Sequence, residues 1–175
     1  SDKNGAVTVL LDDLRSAFEK AKESETKEYY LQYITVKPIH IGSVSSLEVI
    51  DGQQRLTTLS IFLSVLSLSL AIENPAKNKL EYAIRENFFM SHIYQDEGLH
   101  NLMNSSWNEL LSNHQDLNMQ DVFYMHAATR RCADFTKKHR KDLEEFFYFL
   151  LDHIKVIVNS VETHIDSETV FRNLN

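Results

Sequence analysis

One cysteine, Cys132, stands in 175 residues, so the chain can build neither a disulfide framework nor a thiolate metal cluster. A reducing, cytoplasmic setting is the simpler expectation. Cys132 falls on the apolar side of a helical pattern with no local base signature, which argues against a nucleophilic thiol. Long apolar runs are also missing. The best stretch, 56–72, falls short of the ~20 residues a span needs and is interrupted by Ser60, Ser64, Ser67 and Ser69. It reads as a buried helix, with no membrane partner. No charged-then-apolar leader opens the chain, so secretion is not supported. No Gly-x-x-x-x-Gly-Lys-Ser/Thr occurs, which excludes a P-loop. The eight histidines contain no His-Glu-x-x-His and no pair at a recognised ligand separation, so no metal site is expected from them. Positive charge is short as well. Eighteen Lys and Arg against 25 Asp and Glu give −7, which argues against a surface that binds nucleic acid nonspecifically.

What is present is globular. A hydrophobic fraction of 43% with 10% aromatics supports one domain, or one domain with a helical annex. Leu10, Leu11, Leu14, Ala17, Phe18 and Ala21 recur at helical spacing after Thr8, a plausible cap. Asp12 and Asp13 read as dipole partners of that helix rather than metal ligands. The aromatic and β-branched stretch 29–36 reads as a strand, interrupted by Pro38 and Gly42-Ser43, and 47–50 as a short antiparallel partner. The helix after Arg55 is apolar nearly all round, with Thr57, Ser60, Ser64, Ser67 and Ala71 forming a stripe of small side chains suited to close packing. Asn74-Pro75 is a stop signal. Beyond it, four helices are expected, around 80–89, 102–111, 122–135 and 143–154, with Ile93-Tyr94 as a short strand or hairpin. A strand at 155–161 should rejoin the first sheet, and Asp166 or Ser167 should cap a last short helix. The expected fold is α+β: a small mixed β-sheet with a core helix, divided as 1–73, a helical region 74–153, and a returning strand and helix 154–175.

The stretch that carries chemistry is 50–59, Ile-Asp-Gly-Gln-Gln-Arg-Leu-Thr-Thr-Leu. It reads as a strand end, a tight polar turn and a helix start. Asp51 fits the N-cap, and Gln54 fits the reciprocal position of a capping box. Gly52 permits a sharp turn and close approach. Free backbone N–H groups and Arg55 one turn in would make an anion site. Gln53, Gln54, Arg55, Thr57 and Thr58 crowd the first two turns more densely than capping requires. Elsewhere the one basic concentration is Arg130, Arg131, Lys137, Lys138, His139, Arg140 and Lys141. It reads first as a solvated helix end and second as a salt-sensitive DNA contact.

The run Asp51-Gly52-Gln53-Gln54-Arg55 resembles the signature of the DGQQR domain of GmrSD-type, modification-dependent restriction proteins, whose fold resembles the ParB/sulfiredoxin class. Leu11-Asp12-Asp13-Leu14 with Tyr29-Tyr30-Leu31, and 155–161 with Val170-Phe171-Arg172-Asn173-Leu174-Asn175, are similar to the family's flanking segments in the same order. Gln32 departs from the family, which usually has glycine there. A strand rich in Gln, Arg and aromatics normally precedes the first helix, and an Arg-Gly turn and a further region, often an HNH-type nuclease domain, normally follow. Both ends are therefore expected to be missing from this chain. The resemblance implies a regulatory domain of an anti-phage restriction protein that binds a nucleoside triphosphate, with Mg²⁺, and hydrolyses it. It implies nucleotide contacts from Gly52, Gln53, Gln54, Arg55, Thr57, Thr58 and Asn175, and catalytic roles for Asp51, Gln53, Gln54 and Arg55. Gln53 or Gln54 would orient a water, and Asp51 would hold Mg²⁺ through water or act as the cap alone. The implied partners are a nuclease domain or subunit and DNA, the latter through Arg130, Arg131, Lys137, Lys138 and Arg140. A DNA-binding module without turnover and a plain scaffold are the competing readings.

Overall fold

In the computed structural model, residues 3–161 are described, apart from Ala83 and Glu86. The expected last helix, with Asp166, Ser167 and Asn175, lies outside them. The first helix, α1 (Lys3–Ala21), begins earlier than its pattern suggests. Thr8 is therefore inside the helix and not its cap; its hydroxyl accepts from Arg131 Nη1 at 2.7 Å. Val7, Leu11, Leu14, Phe18 and Ala21 form the buried stripe.

The sheet is mixed, as expected. Strand β1 (Tyr29–Ile41) is central, antiparallel to β2 (Val44–Asp51) and parallel to β3 (Ile154–Ser160). Pro38 does not end β1. The described pairing with β3 stops at Val36↔Ser160, so Pro38 lies where β1 has only β2 beside it. Gly42, at φ 63°, and Ser43 turn the hairpin.

Helix α2 (Gln53–Leu70) follows β2 almost without a break. Ile61, Phe62, Val65 and Leu66 are fully buried. The small-residue stripe packs against the segment that follows α2. Ser60 Oγ lies 2.7 Å from Tyr94 Oη, and Ser64 Oγ accepts from Asn74 Nδ2 at 2.8 Å. Ser64 and Ser67 donate back to the Ser60 and Leu63 carbonyls. Buried hydroxyls are thus satisfied at positions where a larger side chain would hold the elements apart.

The expected helix over 80–89 does not form. Asn78 and Asn87 adopt left-handed φ of 61° and 67°, and the segment is pinned by its side chains instead. Leu80 N donates to Tyr94 Oη at 3.2 Å, and Arg85 forks onto Asp121 at 2.6 and 2.8 Å. Ile93 is not in a strand: it ends a π-helical turn, Phe89–Ile93, and Tyr94 follows as its C-cap, both buried. The expected helix over 102–111 is two, α3 (Asp96–Asn104) and α4 (Trp107–Asn113). Ser106 breaks them, capping α4 in a capping box with Glu109. Helices α5 (Gln120–Lys138) and α6 (Leu143–His153) complete the region. Phe18, Phe62, Phe135 and Phe146 meet with ring centroids 5.2–6.0 Å apart, joining α1, α2, α5 and α6 in one core. Among the described residues no helix is long and apolar enough to cross a membrane.

Candidate functional site

The junction of β2 and α2 is built differently from a side-chain-capped helix. Asp51 still belongs to β2, paired with Thr35, and the N-cap is Gly52, at φ 91° and ψ 13°. No side chain caps α2, so neither the Asp51 cap nor the Gln54 capping box forms. The cause is steric. A Cβ on Gly52 would lie 2.5 Å from Ile34 Cγ2, so only glycine lets the turn press this closely on β1. The first helical bond runs from Leu56 N to Gly52 O at 3.0 Å. The N–H groups of Gln53, Gln54 and Arg55 have no backbone acceptor among the described residues.

Beside this turn β1 is distorted on both edges. Its pairing with β3 jumps from Leu31↔Val156 to Ile34↔Val158, so Gln32 and Tyr33 together face the single residue Ile157. Its pairing with β2 jumps from Thr35↔Asp51 to Val36↔Val49, leaving Ile50 as the extra residue. The first bulge frees carbonyls that Arg55 takes up. Arg55 Nη1 donates to Gln32 O at 3.0 Å and Tyr33 O at 3.2 Å, and Nη2 donates to Gln32 Oε1 at 2.8 Å. Arg55 thus clamps the bulge. Of its five N–H donors three are engaged, leaving Nε–H and one Nη2–H, and no carboxylate neutralises it among the described residues. Gln32, where the chain departs from the resemblance, is the residue that fixes the guanidinium.

The other motif residues separate. Gln53 Nε2 donates to Val49 O at 2.7 Å, closing the turn. Gln54 is exposed, with no side-chain hydrogen bond among the described residues. Thr57 is half-buried and Thr58 buried, on the helix rather than at its open end. Asn175 lies outside the described residues. The basic group is remote from the turn in sequence and partly committed: Arg130 donates to Ser105 O at 3.0 Å and Arg131 to Thr8. Lys137, Lys138 and Arg140 are exposed. Cys132 is wholly buried, and burial pushes its thiol pKa far up. His92 and His126 are held below the ordinary imidazole range, first by burial and, for His92, also by His114. No group of three or more His, Cys, Asp or Glu able to hold a metal occurs among the described residues. A cleft of about 610 Å³ lies along Lys77, Tyr82, Arg85, Met90 and Tyr94, and no motif residue lines it.

The turn was legible in the sequence, but the part Gln32 plays in fixing Arg55 was not. The only signal for Gln32 was its departure from the family's glycine. Compared with known proteins, the chain matches the family model described as the GmrSD restriction endonuclease, N-terminal domain, over residues 3–175. No curated protein and no solved structure matches it.

Proposed function

The chain belongs to the GmrSD restriction endonuclease N-terminal domain family, and so to a restriction system; from that premise we propose that the start of α2 binds the polyphosphate of a nucleoside triphosphate and reports it to the nuclease it serves. The observation that carries this reading is the Gly52 cap. Among the described residues it leaves three backbone N–H groups unspent at the positive end of an 18-residue helix, next to an Arg55 guanidinium with no counter-ion. A chain at −7 repels a polyphosphate at long range, but that repulsion is screened beyond ~8–10 Å at physiological salt. Local donors therefore decide the outcome. Charge-assisted bonds from Arg55, already fixed by Gln32, form with little rotamer entropy left to lose. The amide of Gln54 is exposed and has no side-chain hydrogen bond among the described residues, so it would orient a water or a phosphate oxygen.

Because Arg55 also clamps the bulge, occupancy and sheet geometry share one residue. Phosphate drawn to its two remaining donors would bias the Gln32–Tyr33 bulge, and this is the route by which binding reaches the rest of the domain. The test is calorimetric titration with GTP, ATP, CTP and UTP plus Mg²⁺, comparing wild type, Arg55→Ala and Arg55→Lys. Binding by wild type, weakened about tenfold or more in both variants while circular dichroism stays native, supports the reading. A wild-type protein that binds none of the four overturns it.

A further inference from the structure

Strand β3 pairs with β1 on one side and, among the described residues, with nothing on the other. The edge of a sheet presents unpaired N–H and C=O groups that recruit further strands, and proteins usually blunt it with charge, proline or a bulge. β3 has few of these devices. It contains no proline and one charge, Lys155, and the bulge in its pairing lies on the β1 side, where Gln32 and Tyr33 together face Ile157. Ile157 and Val158, in the middle of the strand, are 51% and 52% exposed. On β1 the exposed Tyr30, opposite Lys155, and Tyr33, in the bulge, widen the apolar surface beside it.

What fits this edge is another β3. Val161 N donates to β1, at Val36 O, 2.9 Å away. Backbone groups alternate in direction along a strand, so Val156, Val158 and Ser160 turn theirs outward. An antiparallel partner must set outward residues against outward residues. A two-fold axis through Ile157 does so over the whole strand: Val156 of one copy falls opposite Val158 of the other, Lys155 opposite Asn159, and Ile157 opposite Ile157. Only the end pair, Ile154 with Ser160, joins an apolar side chain to a polar one. Moving the axis to Val156 would set Lys155 against Ile157, and moving it to Val158 would set Ile157 against Asn159. The outer edge of β2 lacks this self-match, because its longest antiparallel overlap sets Leu47 against Glu48 and Val44 against Asp51.

We propose that β3 is the contact between two copies of this chain, paired antiparallel about Ile157 so that two three-stranded sheets become one of six. This contact stands whether or not α2 binds phosphate. Ile157 occupies a non-hydrogen-bonded position on the axis, where facing Cα atoms stand ~4.5 Å apart and side chains pack closest. The seam is ~23 Å long and smaller than a standard interface, so the association is weak and reversible. Each copy carries a charge of −7, so salt that screens this repulsion strengthens the pairing.

The test is sedimentation velocity from about 5 to 500 µM, comparing wild type with Ile157→Lys. Wild type should pass from monomer towards dimer across this range, more readily as salt is raised. Ile157→Lys puts two like charges face to face on the axis and should weaken association about tenfold or more. Its circular dichroism and urea midpoint should stay close to wild type, because the side chain is exposed. Oxidative cross-linking reads the register. Ile157→Cys should give a disulfide dimer far faster than Lys155→Cys, since Cα atoms ~4.5 Å apart suit a disulfide and Lys155 faces Asn159 of the other copy. Cys132 is buried and does not compete. A wild type that stays monomeric to the top of that range, an undiminished dimer in Ile157→Lys, or equal cross-linking at the two positions overturns the proposal.

Discussion

Replacing Gly52 by alanine tests whether the turn is built by close approach. Two costs follow from the structure. At φ 91° an L-residue pays ~1–2 kcal/mol for left-handed backbone. The new Cβ would stand 2.5 Å from Ile34 Cγ2 and 3.2 Å from Ile34 Cβ. Ile34 is buried and β-branched, so the neighbour cannot swing away, and overpacking of this kind costs ~1–3 kcal/mol. Against these, alanine restricts the unfolded chain and returns ~0.4–1 kcal/mol. The balance is a destabilisation of about 3 kcal/mol, read as a lower urea midpoint at unchanged slope. The steric part can be isolated with Ile34→Ala, which removes the atoms that collide. The double variant should be less destabilised than the two single losses summed, by about 1–2 kcal/mol. A Gly52→Ala protein within about 0.5 kcal/mol of wild type, or a strictly additive cycle, would show that close approach to Ile34 does not build the turn.

Three further outcomes follow from other parts of the molecule. Arg85 holds the Asp121 carboxyl below the usual carboxylate range, so its contribution is present above ~pH 4 and is lost as pH falls through the folded value; a double-mutant cycle with Arg85→Met and Asp121→Asn should give a coupling of about 0.5–1 kcal/mol at pH 7 that fades in acid. Burial keeps His92 and His126 neutral, so the unfolded chain takes up protons first, and stability should fall as pH drops from 7 towards 5; a flat urea midpoint across that range contradicts this. Cys132 should react with a thiol reagent only as fast as the protein unfolds, and immediate labelling of the native chain would show that α5 does not bury it.

The position of the turn was legible because a β-rich run, a glycine and a long apolar helix leave few ways to connect. The mixed sheet was legible for the same reason, since 155–161 has strand character and no other partner of its kind. The cap was not. Asp51 satisfies every local rule for an N-cap, but its backbone is held in β2 by pairing with Thr35, and Gly52 takes the position because Ile34 leaves no room for a Cβ. The helix expected over 80–89 was lost to distant partners, with Asp121 taking Arg85 and Tyr94 taking the Leu80 amide. The contact of Gln32 with Arg55 was out of reach for a different reason. Which residues face one another across β1 depends on two bulges, and a one-residue slip moves a side chain to the opposite face.

If the unspent donors at the start of α2 receive phosphate, their own amides must report it. The most direct measurement is an amide ¹H–¹⁵N NMR titration with tripolyphosphate, read residue by residue. Saturable shifts at the Gln53, Gln54 and Arg55 amides and the Arg55 side chain, absent in Arg55→Ala, are the predicted result. Shifts confined to Lys137, Lys138 and Arg140, or none at Gln53–Arg55, would contradict it.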